Sequence, residues 1–98
     1  MILTKLIKAQ FNLEAVKEYK FCPTRRWQSD YAILSKGILI EIEGAVWTNG
    51  RHTRGSGFVK DMEKYNTASA MGFKLIRIQT GDWSSALKFI KMIIENER

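Results

Sequence analysis

Ile38-Leu39-Ile40-Glu41-Ile42-Glu43-Gly44 has the two-residue alternation of a β-strand. Successive side chains of a strand point to opposite faces, so Ile38, Ile40 and Ile42 share one side while Leu39, Glu41 and Glu43 share the other. The carboxylates of Glu41 and Glu43 then leave the same side, roughly 7 Å apart along the backbone. Upstream, residues 27–34 read as a partner strand joined by a two-residue turn at Lys36-Gly37. On that partner Trp27, Tyr31 and Ile33 form the bulky face, with Gln28, Asp30 and Ala32 opposite. A slip of one residue would invert one strand, so only one parity buries both bulky faces together. That parity brings Asp30 to the side of Glu41 and Glu43. The two-residue turn sets it across from Glu43 and diagonal to Glu41.

Around this hairpin the remaining elements follow from period and punctuation. Residues 2–10 place Ile2, Leu3, Leu6 and Ile7 on one helical face. Residues 18–22 read as a short strand stopped by Pro23, which has no amide proton to donate. A helix is predicted over residues 58–71, with Phe58, Met62 and Tyr65 at core spacing and Gly72 as its stop. Residues 73–79 suit a buried strand. Asp82 is the predicted N-cap of a last helix carrying Trp83, Leu87, Ile90 and Ile94 on its apolar face. The order α-β-β-β-α-β-α predicts an α/β domain, a mixed four-stranded sheet with helices on both faces.

A chain of 98 residues supports one domain, spanning residues 1–98. No apolar run approaches the length of a membrane span, and lysines interrupt the first residues where a signal peptide would be apolar. The expectation is a soluble, cytoplasmic protein. The single Cys22 and single His52 cannot build a four-ligand zinc site, and Cys22 reads as a small hydrophobe. Sixteen Lys and Arg against ten Asp and Glu give a net charge of +6, a balance that favours polyanionic partners.

Acids are scarce here, yet three share one face of a hairpin. An E-x-E on a solvated strand face is common decoration taken alone. Together with Asp30, in a basic chain, it matches what Mg²⁺ chemistry on a phosphodiester needs: hard oxygen ligands for the ion, ringed by cations for the strand. The stretch from Gly44 to Gly57 adds four glycines, two arginines and the only histidine. Arg51 and Arg54 are candidate phosphate ligands, and His52 a candidate for orienting a water. The stretch lacks the Gly-Lys-Ser/Thr ending of a nucleotide-binding loop, so no nucleotide cofactor is indicated. Lys64, on the following helix, is the candidate for stabilising charge at a reacting phosphate. Trp47 reads either as a base-stacking side chain or as core edge. Glu18 reads either as a fourth acid near the metal or as a surface acid.

Several segments together resemble the PD-(D/E)XK nuclease superfamily, and within it the very-short-patch-repair-like branch and small endonuclease-like proteins of phages and prophages. They are Glu18-Tyr19-Lys20-Phe21, Arg26-Trp27-Gln28-Ser29-Asp30-Tyr31-Ala32, Leu39-Ile40-Glu41-Ile42-Glu43-Gly44, Gly50-Arg51-His52-Thr53-Arg54-Gly55, Asp61-Met62-Glu63-Lys64-Tyr65-Asn66 and Gly72-Phe73-Lys74-Leu75-Ile76-Arg77-Ile78. The resemblance implies a restriction-endonuclease-like core and metal-dependent cleavage of DNA. Asp30 matches the first metal-binding aspartate and Glu41 the second acidic ligand, with the Ile42 carbonyl beside them. Glu43 stands where the usual motif has lysine, so Glu43, His52 and Lys64 compete for the role of general base. A patch-repair zinc site cannot form with one cysteine.

The expectation is therefore an Mg²⁺-dependent endodeoxyribonuclease, with Mn²⁺ able to substitute. Asp30, Glu41, Glu43, His52 and Lys64 would be catalytic; Arg26, Trp47, Arg51, Arg54 and Lys60 would hold DNA. A homodimer is the expected arrangement for cutting two strands, and branched or nicked DNA suits a small phage-type nuclease. The rival expectations are a nucleic-acid-binding module without catalysis and a basic regulatory protein that docks on an acidic partner.

Overall fold

The computed structural model describes residues 2–44 and 55–97, with the backbone alone at 55–58. The chain runs α1 (Ile2–Phe11), β1 (Val16–Tyr19), β2 (Ser29–Ile33), a 3₁₀ turn (Leu34–Lys36), β3 (Ile38–Glu43), α2 (Gly55–Ala70), β4 (Lys74–Gln79) and α3 (Trp83–Glu95). It is an α/β fold with an open, mixed four-stranded sheet ordered β1-β2-β3-β4. β1–β2 and β2–β3 are antiparallel, and β3–β4 is parallel, with α2 in the crossover between them. Among the described residues no helix is long and apolar enough to cross a membrane.

The predicted alternation sorts the two cores. Tyr31, Ile33, Ile38, Ile40, Ile76 and Ile78 pack with Leu3 and Ile7 of α1 and with Ala86 and Ile90 of α3. Through the opposite face Ala32 and Leu39 pack with Phe21, Cys22 and Ala68 of α2. Helices thus cover both faces, and Cys22 is a buried core thiol as expected.

The hairpin keeps the expected parity but moves its register by two residues. Tyr31 pairs with Ile40, Ala32 with Leu39 and Ile33 with Ile38, which sets Asp30 abreast of Glu41 rather than Glu43. A two-residue turn would demand a positive φ at both Lys36 and Gly37, which a side chain resists. The chain instead bends through the 3₁₀ turn, and Gly37 alone takes the left-handed conformation (φ 65°), its N–H donating to the Leu34 carbonyl at 3.2 Å. A shift of two keeps every side chain on its face.

Other boundaries differ as well. β1 lies at Val16–Tyr19 instead of residues 18–22, because Phe21 and Cys22 reach the core from irregular backbone after the strand. Glu18 has φ 55°, which breaks the alternation and lets Tyr19 pack with the Phe21 cluster. Trp27 precedes β2 and packs on that same cluster, with its ring stacked on Phe21 at 6.3 Å; it does not share the Tyr31 face. α2 starts at Gly55, earlier than residue 58, so the helix takes in Gly55 and Gly57 despite their low helix propensity. Met62 is exposed and Tyr65 half-buried, and among the described side chains of α2 Ala68 is the fully buried one; the Phe58 side chain lies outside the described residues.

Both predicted helix signals hold. Asp82 caps α3, its Oδ1 accepting from the Ser85 N–H at 3.3 Å and its Oδ2 from the Ser85 hydroxyl at 2.7 Å. Gly72 ends α2 at φ 92°: its N–H donates to the Ser69 carbonyl (3.0 Å), while the Phe73 N–H donates to that of Ala68 (3.1 Å). This is a Schellman closure with its apolar contact between Phe73 and Ala68. A Cβ at Gly72 would touch nothing within 4 Å, so Gly72→Ala should cost only the left-handed backbone term, roughly 1–2 kcal/mol. Urea titration should show a lower midpoint with an unchanged slope.

Candidate metal and phosphate site

The α2-facing side of the sheet carries the three acids that the alternation grouped. Asp30 and Glu41 stand abreast on β2 and β3, and Glu43 follows two residues further along β3, on the same face. The Oδ2 of Asp30 accepts the Ile42 N–H at 2.6 Å, pinning that carboxylate against β3 beyond the last ladder pair. Glu41 is one of the two buried polar residues among those described, only 7% exposed.

Helix α2 delivers the compensating charge. The Lys64 ammonium lies 3.3 Å from Glu41 Oε1, and both side chains are largely shielded. Burial pushes the Glu41 carboxyl above its ordinary value; the Lys64 charge pulls it back, and the like charges of Asp30 and Glu43 push it up again. Glu43 accepts a hydrogen bond from Arg77 Nε. β4 runs parallel with Glu41 beside Arg77 and Glu43 beside Gln79, so this ion pair is diagonal across the ladder. The Arg77 guanidinium lies over the Tyr65 ring, 4.5 Å from its centroid. Tyr65 is pushed up to about 12, first by burial and then by the negative charges of Glu41 and Glu43.

Arg77 and Tyr65 are the site residues that sequence reasoning missed. The signal was present in β4: Leu75, Arg77 and Gln79 share a face by alternation. That face joins the carboxylates only once β4 is known to lie parallel to β3. Helical spacing alone assigns Tyr65 to the core and gives no sign of its place beside Arg77.

The other candidates are placed less centrally. Lys60 is exposed on α2, and Arg26 is exposed in the segment before β2. Next to Arg26, Arg25 lies over the Trp27 ring at 4.0 Å and donates to Glu63 at 2.9 Å. Glu18 falls abreast of Asp30 in the β1–β2 register, but it is exposed and carries the left-handed backbone. Trp47, Arg51, His52 and Arg54 lie outside the described residues.

Three acids and two cations leave the cluster with one net negative charge. Among the described residues no group of three or more Asp, Glu, His and Cys side chains is disposed to hold a metal ion; Glu43 is turned to Arg77. The pair Asp30 and Glu41 remains. Two hard carboxylates on adjacent strands suit Mg²⁺, which takes one or two protein carboxylates and completes its shell with water and substrate phosphate. No family model, curated protein or solved structure matches the chain.

Proposed function

We propose that the protein is a Mg²⁺-dependent endonuclease that hydrolyses DNA phosphodiester bonds, on a restriction-endonuclease-like core of the PD-(D/E)XK type. The observation that carries this reading is the Asp30–Glu41 pair, with the Glu41 carboxylate buried beside Lys64 in a chain of net charge +6. Burying a carboxylate opposes folding, and a neighbouring aspartate adds to the penalty. A divalent ion would relieve both, which gives the arrangement a purpose that stability does not.

In this reading Asp30 and Glu41 would hold the ion, with the Ile42 carbonyl as a candidate third oxygen. Such an ion would supply, when bound, Lewis acidity and a water of lowered pKa. Lys64, held beside Glu41, would offset the charge that develops on the phosphate oxygens. Glu43, while still bound to Arg77, or His52 would orient the attacking water. Arg26, Arg51, Arg54 and Lys60 hold the backbone, and Trp47 stacks on a base or sugar. Two copies would cut both strands of a duplex.

A cleavage assay on linear, nicked and four-way DNA tests the reading. Cutting should appear with Mg²⁺ or Mn²⁺, vanish in EDTA, and fail in Asp30→Asn. Equal cutting by that variant would remove the proposed site. The ion pairs Lys64–Glu41 and Arg77–Glu43 favour a second reading, a nucleic-acid-binding module whose acids are neutralised permanently. It requires DNA binding without cleavage and a melting temperature indifferent to Mg²⁺ and Mn²⁺.

A further inference from the structure

Arg77 has more organisation than an exposed ion pair needs. Its Nε is committed to Glu43, its guanidinium lies 4.5 Å from the Tyr65 centroid, and the side chain stays 52% exposed. Among the described residues its two terminal nitrogens make no hydrogen bond. Such a half-exposed pair adds little to stability. What the contacts do is hold the guanidinium in one place, removing the rotamer freedom that an arginine otherwise loses on binding.

The place matters. Arg77 is abreast of Glu41 in the parallel β3–β4 register, one strand spacing of about 4.8 Å away. Asp30 lies one strand beyond Glu41, and Lys64 approaches Glu41 from α2. A phosphate resting over the Asp30–Glu41 pair therefore meets Lys64 from the helix side and Arg77 from the β4 side. Guanidinium is the side chain whose paired N–H groups match two phosphate oxygens.

We infer that Arg77 grips the DNA backbone phosphate at this site, its terminal nitrogens donating to non-bridging oxygens, with Glu43 and Tyr65 as its positioning residues. The inference rests on the phosphodiester reading above and names a contact that this reading did not assign. Lys74 and Gln79, which close the two ends of β4, have no comparable anchoring contacts among the described residues.

The test uses the full chain, a fluorescein-labelled DNA duplex in EDTA, and anisotropy over a salt series. Arg77→Met should lower the slope of log affinity against log salt by about 0.9, the share of one phosphate contact. Lys88→Met, on α3 across the sheet and with its ammonium over Phe89, removes the same charge and should change the slope much less. Arg77→Lys keeps the charge without the fork. It should retain the slope while kcat/KM for cleavage falls about tenfold. Equal slopes for Arg77→Met and Lys88→Met, or an undiminished kcat/KM in Arg77→Lys, would overturn the assignment while leaving the nuclease reading intact. A wild-type protein that binds no DNA would end both.

Discussion

Glu41→Gln is expected to give a protein that is more stable at neutral pH and far slower in the proposed nuclease reaction. The stability half follows from linkage. Burial raises the folded-state carboxyl above its ordinary value of 4.5, so between those two values the folded chain binds more protons than the unfolded one. Stability then falls as pH rises through that window and stays low above it. Glutamine mimics the neutral form at every pH, so the variant should melt higher than wild type at pH about 7 and lose the advantage at pH values below the ordinary carboxyl range. The activity half follows from the ligand. If Glu41 holds the ion, its loss removes several kcal/mol of charge stabilisation, or roughly 10²–10³ in rate at 1.4 kcal/mol per tenfold. A third readout joins them: Mg²⁺ at about 100 times its Kd should stabilise wild type by about 2.7 kcal/mol, and Glu41→Gln far less. Melting curves with and without Mg²⁺, beside the cleavage assay, check all three. A variant that is less stable at neutral pH would mean that Lys64 needs Glu41 more than burial penalises it, and the linkage argument would fail.

An exchange of stability for activity is what the proposed site would produce, and the grouping of its acids was partly legible in the sequence. Parity was the decisive rule. It needed only the alternation of Ile38–Glu43 and the bulky face of Tyr31 and Ile33, and it placed Asp30, Glu41 and Glu43 together. Register was harder, since it depends on whether Lys36 accepts a left-handed backbone, and the chain avoided that with a longer turn. Trp27 escapes the alternation because β2 begins only at Ser29, and nothing local in the sequence marks Ser29 as that start. Arg77 depended on a fact beyond any window of sequence, the parallel adjacency of β3 and β4. The Lys64–Glu41 contact was equally illegible: the sequence offered Lys64 only as a charge for a phosphate, and the ion pair follows from α2, which crosses from β3 to β4 and packs over the face that carries the acids.

The same parity makes Ile40 the position where the fold should be most sensitive. Ile40 is fully buried, flanked by Tyr31 on β2 and Ile76 on β4, and belongs to the cluster closed by Leu3, Ile7, Ala86 and Ile90. Ile40→Ala removes three carbons from a core that has helices pressed on it. The expected cost is about 2–5 kcal/mol, against about 0.5–1.5 for Ile40→Val. A domain of this size has only about 5–15 kcal/mol in total, so the alanine variant should be largely unfolded in urea concentrations that leave the valine variant intact. β3 cannot relieve the cavity by sliding one residue, because that would carry Glu41 into the apolar cluster and lift Leu39 out of its own. The site should therefore keep its geometry until the whole sheet gives way, and metal-induced stabilisation should survive in Ile40→Val. Should alanine cost no more than valine at this position, Ile40 would not face the closed core, and the face assigned to Asp30, Glu41 and Glu43 would fall with it.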